Sequence, residues 1–153
     1  MNSPDQSTEV LIVTLGGQYY GIDIHQIQEL CCSERVMPVV TPQAYVTGAI
    51  DLHHIMVPII DPYVRHGTES PAVDAIYVIL KDGANLAGLA VDGILDVQMV
   101  HSELLQSASR CSPAFRPEFL TGTGQINGQS VLMLDGTKMV SEVDLSLTQT
   151  VAA

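Results

Sequence analysis

A group of acidic and histidine residues is the first feature of the chain that could carry chemistry. It comprises Asp51, His53, His54, Asp61 and His66. On a β-hairpin, adjacent side chains point to opposite faces, so His53 and His54 cannot readily bind one ion together. Asp51 and His53 share a face, which leaves two local ligands where a transition metal needs about three or four. A solvated turn is the preferred interpretation, and a small metal-dependent enzyme using His53, His54 and His66 is the alternative from another class.

The nucleophilic side chains form no recognisable catalytic pattern. Cys31, Cys32 and Cys111 show neither the CxxC spacing of a zinc site nor a nucleophile signature. No GxSxG elbow, P-loop or GxGxxG motif occurs, and Gly16–Gly17 and Gly122–Thr123–Gly124 fit turns that need positive φ. The sequence therefore predicts a protein that is not an enzyme and uses no metal or other cofactor. Without an export signal, we expect reduced thiols and a cytoplasmic location.

Charge and composition disfavour several classes of partner. The 153 residues contain 6 Lys and Arg against 17 Asp and Glu, for a formal net charge of −11. Such a chain has no basic patch large enough to neutralise phosphates, so nucleic acid and an anionic membrane surface are disfavoured. The apolar runs are short and broken by Asp, Gly or Pro, so membrane insertion is not expected. The acidity favours solubility and steering toward a basic partner.

Short strands are the elements that must position these residues. Runs rich in Val, Ile and Leu are separated by turn residues. The predicted strands are Glu9–Leu15, Tyr19–Ile24, Gln28–Cys32, Ala49–Leu52, Ile55–Asp61, Ala75–Lys81, Leu86–Val91, Asp96–Val100, Gly124–Ile126 and Ser130–Leu134. Short helical turns are possible near Ile24–Leu30, Gln43–Thr47, Ser102–Leu105 and Lys138–Glu142. Pro58 inside one strand predicts an edge position or a bulge.

The chain contains two copies of one structural unit. Tyr45–Asp61 aligns without a gap with Phe119–Asp135, and Gly21–Leu30 matches Gly88–Val97 in its apolar positions and leading glycine. Such a repeat indicates a supersecondary unit of about 70 residues that is duplicated within the domain. Its polar residues differ between the copies, which indicates that the unit is kept for shape and favours a binding module. The predicted fold is mostly all-β, with two pseudo-symmetric five-stranded barrels that share an apolar seam.

The loop Arg65–Pro71 is the expected boundary between the copies. We expect one ordered domain over residues 9–147, flanked by a disordered leader and a flexible tail. In chain order, the predicted parts are the leader at 1–8, the first barrel at about 9–66, the second barrel at about 72–136, a C-terminal segment at 137–147 that packs back, and the tail at 148–153.

Several blocks of the chain, in this order, resemble the CheW-like adaptors of bacterial chemotaxis. They are VLIVTLGGQYYGIDI, HQIQEL, TP-x-AYVTGAIDL, IMVPIID, GLAVDGILDV and EFLTGTGQINGQSVLMLD, over roughly residues 9–145. The resemblance implies two SH3-like barrels with an apolar groove between them. It also implies a cytoplasmic scaffold at membrane receptor arrays, which holds the cytoplasmic tip of a chemoreceptor and the regulatory domain of a CheA-type histidine kinase in signal transduction.

The resemblance also implies roles for individual residues. By motif position, the receptor groove is lined by Ile24, Ile27, Glu29, Leu30 and His53. Barrel-edge strands near Val57 and Ile59, and those of the second copy, would face kinase-type partners in the array.

One motif departs from the family pattern. The family typically reads Asn-Leu-Arg-Gly where this chain has Asp51-Leu52-His53-His54. Histidine is mostly neutral at pH 7, whereas arginine offers a fixed charge and a fork of five donors. Two alternatives follow. One is an accessory or divergent adaptor of a specialised system, such as one that controls pili. The other is a regulatory adaptor that competes for array sites without full coupling.

Overall fold

The computed structural model describes residues 7–32, 46–60, 76–101 and 119–142. The described residues form ten β-strands, a 3-10 turn at Ile24–Gln26 and one α-helix. The strands are β1 Ser7–Leu15, β2 Gln18–Asp23, β3 Ile27–Cys32, β4 Val46–Leu52, β5 Ile55–Ile60, β6 Ile76–Asp82, β7 Asn85–Val91, β8 Gly93–His101, β9 Leu120–Ile126 and β10 Gln129–Leu134, and the helix α1 is Gly136–Glu142.

Most of the predicted elements are present, with shifted ends. β1 begins at Ser7, inside the predicted leader, and β4 begins at Val46, where a short helix was a possibility. The segment after β2 combines both options, because a 3-10 turn precedes the strand β3. The loop at Arg65–Pro71, the helical turn at Ser102–Leu105 and the C-terminal tail lie outside the described residues.

The strands form two five-stranded sheets, in the orders β8-β1-β2-β10-β9 and β3-β6-β7-β5-β4. We call them barrel A and barrel B. Neighbouring strands pair antiparallel, except that β10 pairs parallel with β2 and β5 pairs parallel with β7. The prediction of a mostly β fold with two matched sets of five strands is confirmed.

The predicted division of the chain between the barrels needs correction. Barrel A takes β1 and β2 from the first copy but β8, β9 and β10 from the second, and barrel B takes the remaining strands. The chain crosses to barrel B at Ile24–Gln26 and returns at Asp92. There the Asp92 backbone N–H donates to the Thr14 carbonyl at 2.9 Å, and the Gly16 N–H donates to Asp92 Oδ2 at 2.9 Å. These bonds hold the return crossing against the β1–β2 hairpin.

The parallel strand pairs of the two barrels, β2–β10 and β7–β5, have the same register. In barrel A, Gly21 of β2 lies opposite Met133 of β10, and in barrel B the equivalent Gly88 of β7 lies opposite Ile59 of β5. A Cβ atom on Gly21 would lie 2.9 Å from Met133 Sδ, and one on Gly88 would lie 2.6 Å from Ile59 Cδ1. Both glycines are therefore needed because a large side chain of the neighbouring strand lies directly over the backbone.

Pro58 does not place its strand at an edge. β5 lies between β7 and β4, and the register shift of the β4–β5 pair falls between Val46 and Gly48, on β4. The parallel pairing with β7 covers only Ile59 and Ile60, whereas the equivalent pairing of β10 with β2 covers four residues. Since proline has no N–H to donate, the barrel accommodates it by starting this ladder after Pro58.

Among the described residues, the buried side chains form one shared core and a smaller core inside each barrel. The shared core joins Leu11 and Tyr20 of barrel A to Val78 and Leu89 of barrel B, and α1 contributes Met139 and Val140. Burial of each large apolar side chain stabilises the fold by about 1.5–3 kcal/mol. This shared core is the predicted apolar seam between the barrels. No helix among the described residues has the length and apolar character needed to cross a membrane.

Candidate partner-binding site

The structure brings Glu29 and His53 together. Glu29 is a partly buried residue of β3, and His53 is an exposed residue of the turn between β4 and β5. His53 Nε2 lies 3.4 Å from Glu29 Oε1. On its other oxygen, Oε2, Glu29 accepts a hydrogen bond from the Cys31 thiol at 3.7 Å. Two residues predicted to line one groove therefore form a pair that is ionic whenever the histidine is protonated.

The turn that carries His53 has an unusual backbone for its residues. His53 and His54 have φ angles of 53° and 70°, and the equivalent Asn127 and Gly128 of the β9–β10 turn have 53° and 81°. Two successive positive φ angles are typical of a type I′ hairpin turn, for which Asn-Gly is the favoured sequence. In a residue with a Cβ atom, this left-handed backbone costs about 1–2 kcal/mol.

The Asp51 side chain stabilises the backbone of this turn. Its Oδ1 accepts a hydrogen bond from the His54 backbone N–H at 2.9 Å. This is the local carboxylate bond that favours aspartate next to turns. Within the described part of the chain, no group of three or more His, Cys, Asp or Glu residues could hold a metal ion. Asp61, His66 and Cys111 lie outside the described residues.

The apolar residues predicted for the groove differ in exposure. Ile24 and Ile27 are partly buried and pack against the shared core, whereas the Leu30 side chain is 46% exposed. The 3-10 turn that carries Ile24 is anchored at both ends. The Asp23 carboxylate accepts from the His25 N–H at 2.9 Å, and Gln26 Oε1 accepts from the Gly136 N–H of α1 at 2.8 Å. These two bonds hold the residues around Ile24 in a fixed position beside the core.

The assignment of Val57 and Ile59 to a partner interface needs correction. Their side chains are only 0% and 1% exposed, and both belong to the core of barrel B. β5 is an interior strand that is buried on both faces, because Ile59 points into barrel B while Ile60 joins the shared core. Neither Val57 nor Ile59 can present its side chain to a partner. In this strand the exposed residue is Ile55, which follows His54.

Sequence reasoning missed a row of exposed apolar residues on β8. Leu95, Val97 and Met99 are 44–56% exposed and alternate with Asp96 and Gln98. We call these three residues the β8 stripe. Val97 occupies the position equivalent to Leu30 in the duplicated unit, so both copies expose an apolar residue there. The strict alternation Leu-Asp-Val-Gln-Met was the available signal, since alternation marks a strand with two different faces.

Comparisons with known proteins agree with one another. Residues 9–144 match the family model of the CheW-like domain. The chain is 30% identical over 146 residues to the chemotaxis protein CheW of Klebsiella aerogenes, covering 94% of this chain and 88% of that protein. It is 26% identical over 147 residues to the chemotaxis protein CheW of Treponema pallidum, covering 92% and 86%.

A solved structure gives the same result for the fold. The scaffolding protein TtCheW from Thermoanaerobacter tengcongensis superposes with a TM-score of 0.76 at 18% sequence identity, covering 94% of this chain and 95% of that one. The arrangement of two SH3-like barrels is therefore shared along almost the whole length of both chains.

Proposed function

Since the chain belongs to the CheW-like family of non-catalytic chemotaxis adaptors, we propose that it joins chemoreceptors to a CheA-type histidine kinase. It acts in the cytoplasm, at receptor arrays. The observation that carries the proposal is the Glu29–His53 pair, at 3.4 Å, on the strand that also presents Ile27 and Leu30. β3 is an edge strand that carries Ile27 and Leu30 on one face and Glu29 on the other, so an amphipathic helix docked along this edge can reach both the apolar side chains and the polar pair.

The receptor is proposed to dock its helical tip over Ile24, Ile27 and Leu30. Ile24 and Ile27 pack against the shared core, so their side chains form the rigid base of the docking surface. Leu30 is more exposed and can insert between side chains of the partner. The Glu29–His53 pair fixes the orientation of the helix through polar contacts at the rim. The adaptor then couples the receptor to kinase activity by shifting the equilibrium between kinase states. While it contacts receptor and kinase together, it favours the kinase state for which it has the higher affinity.

The kinase regulatory domain is proposed to contact the β4–β5 hairpin through its exposed end. Val57 and Ile59 support this strand from inside barrel B, and Ile55, which is 54% exposed, supplies the apolar contact. An apolar residue this exposed, next to the polar His53–His54 turn, is a reasonable anchor for a protein interface.

Titration calorimetry with the organism's CheA-type regulatory domain and with a receptor-tip fragment tests the proposal. We expect micromolar binding of both. Leu30→Asp should weaken receptor binding at least about tenfold, because a charge is buried at a docking surface, and should leave kinase binding unchanged. Ile55→Asp should give the reverse pattern. Absence of binding to both partners would overturn the proposal.

A second candidate is a regulatory adaptor that occupies array sites without full coupling. The His53–His54 turn favours it, because the family's arginine and glycine are both replaced and the left-handed backbone is kept. The double variant His53→Arg, His54→Gly should then raise kinase activity in reconstituted arrays, since arginine supplies a fixed charge to Glu29 and to the receptor. Unchanged kinase activity with intact receptor binding would rule this candidate out.

A further inference from the structure

A small cavity opens on barrel A beside the β9–β10 turn. Its volume is about 270 Å³, and its lining includes Tyr19, Leu95, Ile126, Asp96, Gln98 and Asn127. Pockets for drug-sized ligands begin at about 300 Å³. This cavity is therefore large enough for a single long side chain.

The cavity occupies the place in barrel A that the Glu29–His53 pair occupies in barrel B. In the duplicated unit, Asp96 is equivalent to Glu29 and Asn127 is equivalent to His53. Asp96 lies opposite Ile12 in the β1–β8 ladder, and Glu29 lies opposite the equivalent Ile79 in the β3–β6 ladder. Asn127 and His53 are each the first residue of a hairpin turn, with the same φ of 53°. The two sites are therefore built on the same backbone.

Both sites hold their carboxylate in the same way. In barrel B the Cys31 thiol donates to Glu29 Oε2 at 3.7 Å, and in barrel A the equivalent Gln98 donates through Nε2 to Asp96 Oδ2 at 3.1 Å. The Val97 backbone N–H also donates to Asp96 Oδ1 at 2.7 Å. These neutral donors orient the Asp96 carboxylate without cancelling its charge, and a carboxylate can accept about four hydrogen bonds.

The sites differ in the charge that faces the carboxylate. His53 lies 3.4 Å from Glu29 and can carry a positive charge, whereas Asn127 at the equivalent position is neutral. Among the described residues that line the cavity, Asp96 is the one that carries a charge. Barrel A thus combines an oriented carboxylate, an apolar wall and a cavity of side-chain size, in a chain with a net charge of −11.

We propose that this cavity binds a lysine or arginine side chain of a protein partner. The partner's cation stands opposite Asp96 as His53 stands opposite Glu29. The aliphatic stem of such a side chain packs against Leu95, Tyr19 and Ile126 while its charged head reaches the carboxylate. The acidic surface of the chain attracts basic partners to this site. The inference concerns barrel A alone and does not rest on the proposed receptor and kinase contacts.

The test uses N-acetyl-L-arginine amide as the probe and the neutral N-acetyl-L-citrulline amide as its matched control. Each is titrated at low ionic strength into the full ¹⁵N-labelled chain, and the amide shifts of Val97, Gln98 and Asn127 are followed. We expect saturating shifts with the arginine probe only. Asp96→Asn should weaken its binding about tenfold, the effect of losing a charged hydrogen bond. Glu9→Gln, which removes an exposed carboxylate of β1, should leave binding unchanged.

A second variant tests the equivalence of the two sites. Asn127→Arg places a tethered cation where His53 stands in barrel B, and it should abolish probe binding while the amide spectrum of barrel B stays unchanged. Normal binding by this variant would overturn the proposal. Equal shifts with both probes, undiminished binding by Asp96→Asn, or shifts confined to the surroundings of Glu29 would also overturn it.

Discussion

The His53–His54 turn has a left-handed backbone that its residue types do not favour. The equivalent turn of the second copy has Asn127 and Gly128, whose types favour positive φ. His53 and His54 take up almost the same angles, at φ 53° and 70°. The bond from the His54 N–H to Asp51, at 2.9 Å, offsets part of the cost. Asp51 thus has a local structural role in this turn.

We predict that His54→Gly stabilises the fold by about 1 kcal/mol. Glycine removes the steric conflict of a left-handed residue, and its greater freedom in the unfolded chain reduces that gain only partly. Urea unfolding followed by circular dichroism measures the change. The reciprocal variant Gly128→His serves as the matched control and should destabilise by a similar amount. A neutral or destabilising effect of His54→Gly would contradict the prediction.

Two neighbouring strand pairs of this fold, β2–β10 and β5–β7, are closely packed as well as hydrogen-bonded. Gly88 of β7 lies under Ile59 of β5, and Gly21 of β2 lies under Met133 of β10. The leading glycine of each repeat copy, recognised in the sequence as a shared feature, is explained by this contact. It also explains why Ile59 is buried and cannot serve as an interface residue.

We predict that Gly88→Ala destabilises the fold by about 1–3 kcal/mol, because the new Cβ atom would lie 2.6 Å from Ile59 Cδ1. Ile59→Val removes that Cδ1 atom, so Gly88→Ala should cost less in the Ile59→Val background. A double-mutant cycle of unfolding free energies measures this coupling. Gly83→Ala adds a Cβ atom in open space at a positive φ and separates backbone strain from crowding. Additive effects of the two β5–β7 changes would contradict the packing explanation.

The molecule as a whole is two barrels that exchange strands and share one core. Each barrel contains strands from both copies, so neither copy can complete a barrel from its own strands. The shared core includes residues of both barrels and of α1. We therefore expect the barrels to unfold together as one cooperative unit.

We predict that Met139→Ala, which creates a cavity on the buried face of α1, lowers the unfolding free energy by about 2–5 kcal/mol. Amide exchange in barrel A and in barrel B should accelerate to the same extent, because both depend on one core. Leu95→Ala on the exposed β8 stripe is the matched control and should change stability by no more than about 0.5 kcal/mol. Faster exchange confined to one barrel would show that the barrels unfold separately.

The sequence was sufficient for features that depend on neighbouring residues. Alternating apolar residues predicted the strands, and Asn127–Gly128 predicted its hairpin, because both signals act within a few residues. The gapless match of Tyr45–Asp61 with Phe119–Asp135 predicted equivalent hairpins, and β4–β5 and β9–β10 are indeed equivalent. The family blocks predicted the two-barrel fold, whereas the place of Glu29 in a receptor groove stays a prediction.

The pairing of strands that are distant in the chain could not be predicted from local sequence patterns. Backbone hydrogen bonds are the same whichever strand provides the partner, so no local pattern shows that β2 pairs with β10 and β7 with β5. The exchange of strands follows from how the two copies bury their apolar faces against each other. For the same reason, Val57 and Ile59 were assigned to a surface that they cannot reach, and the β8 stripe was missed. Burial depends on which strands cover a residue, and only folding of the entire chain sets that.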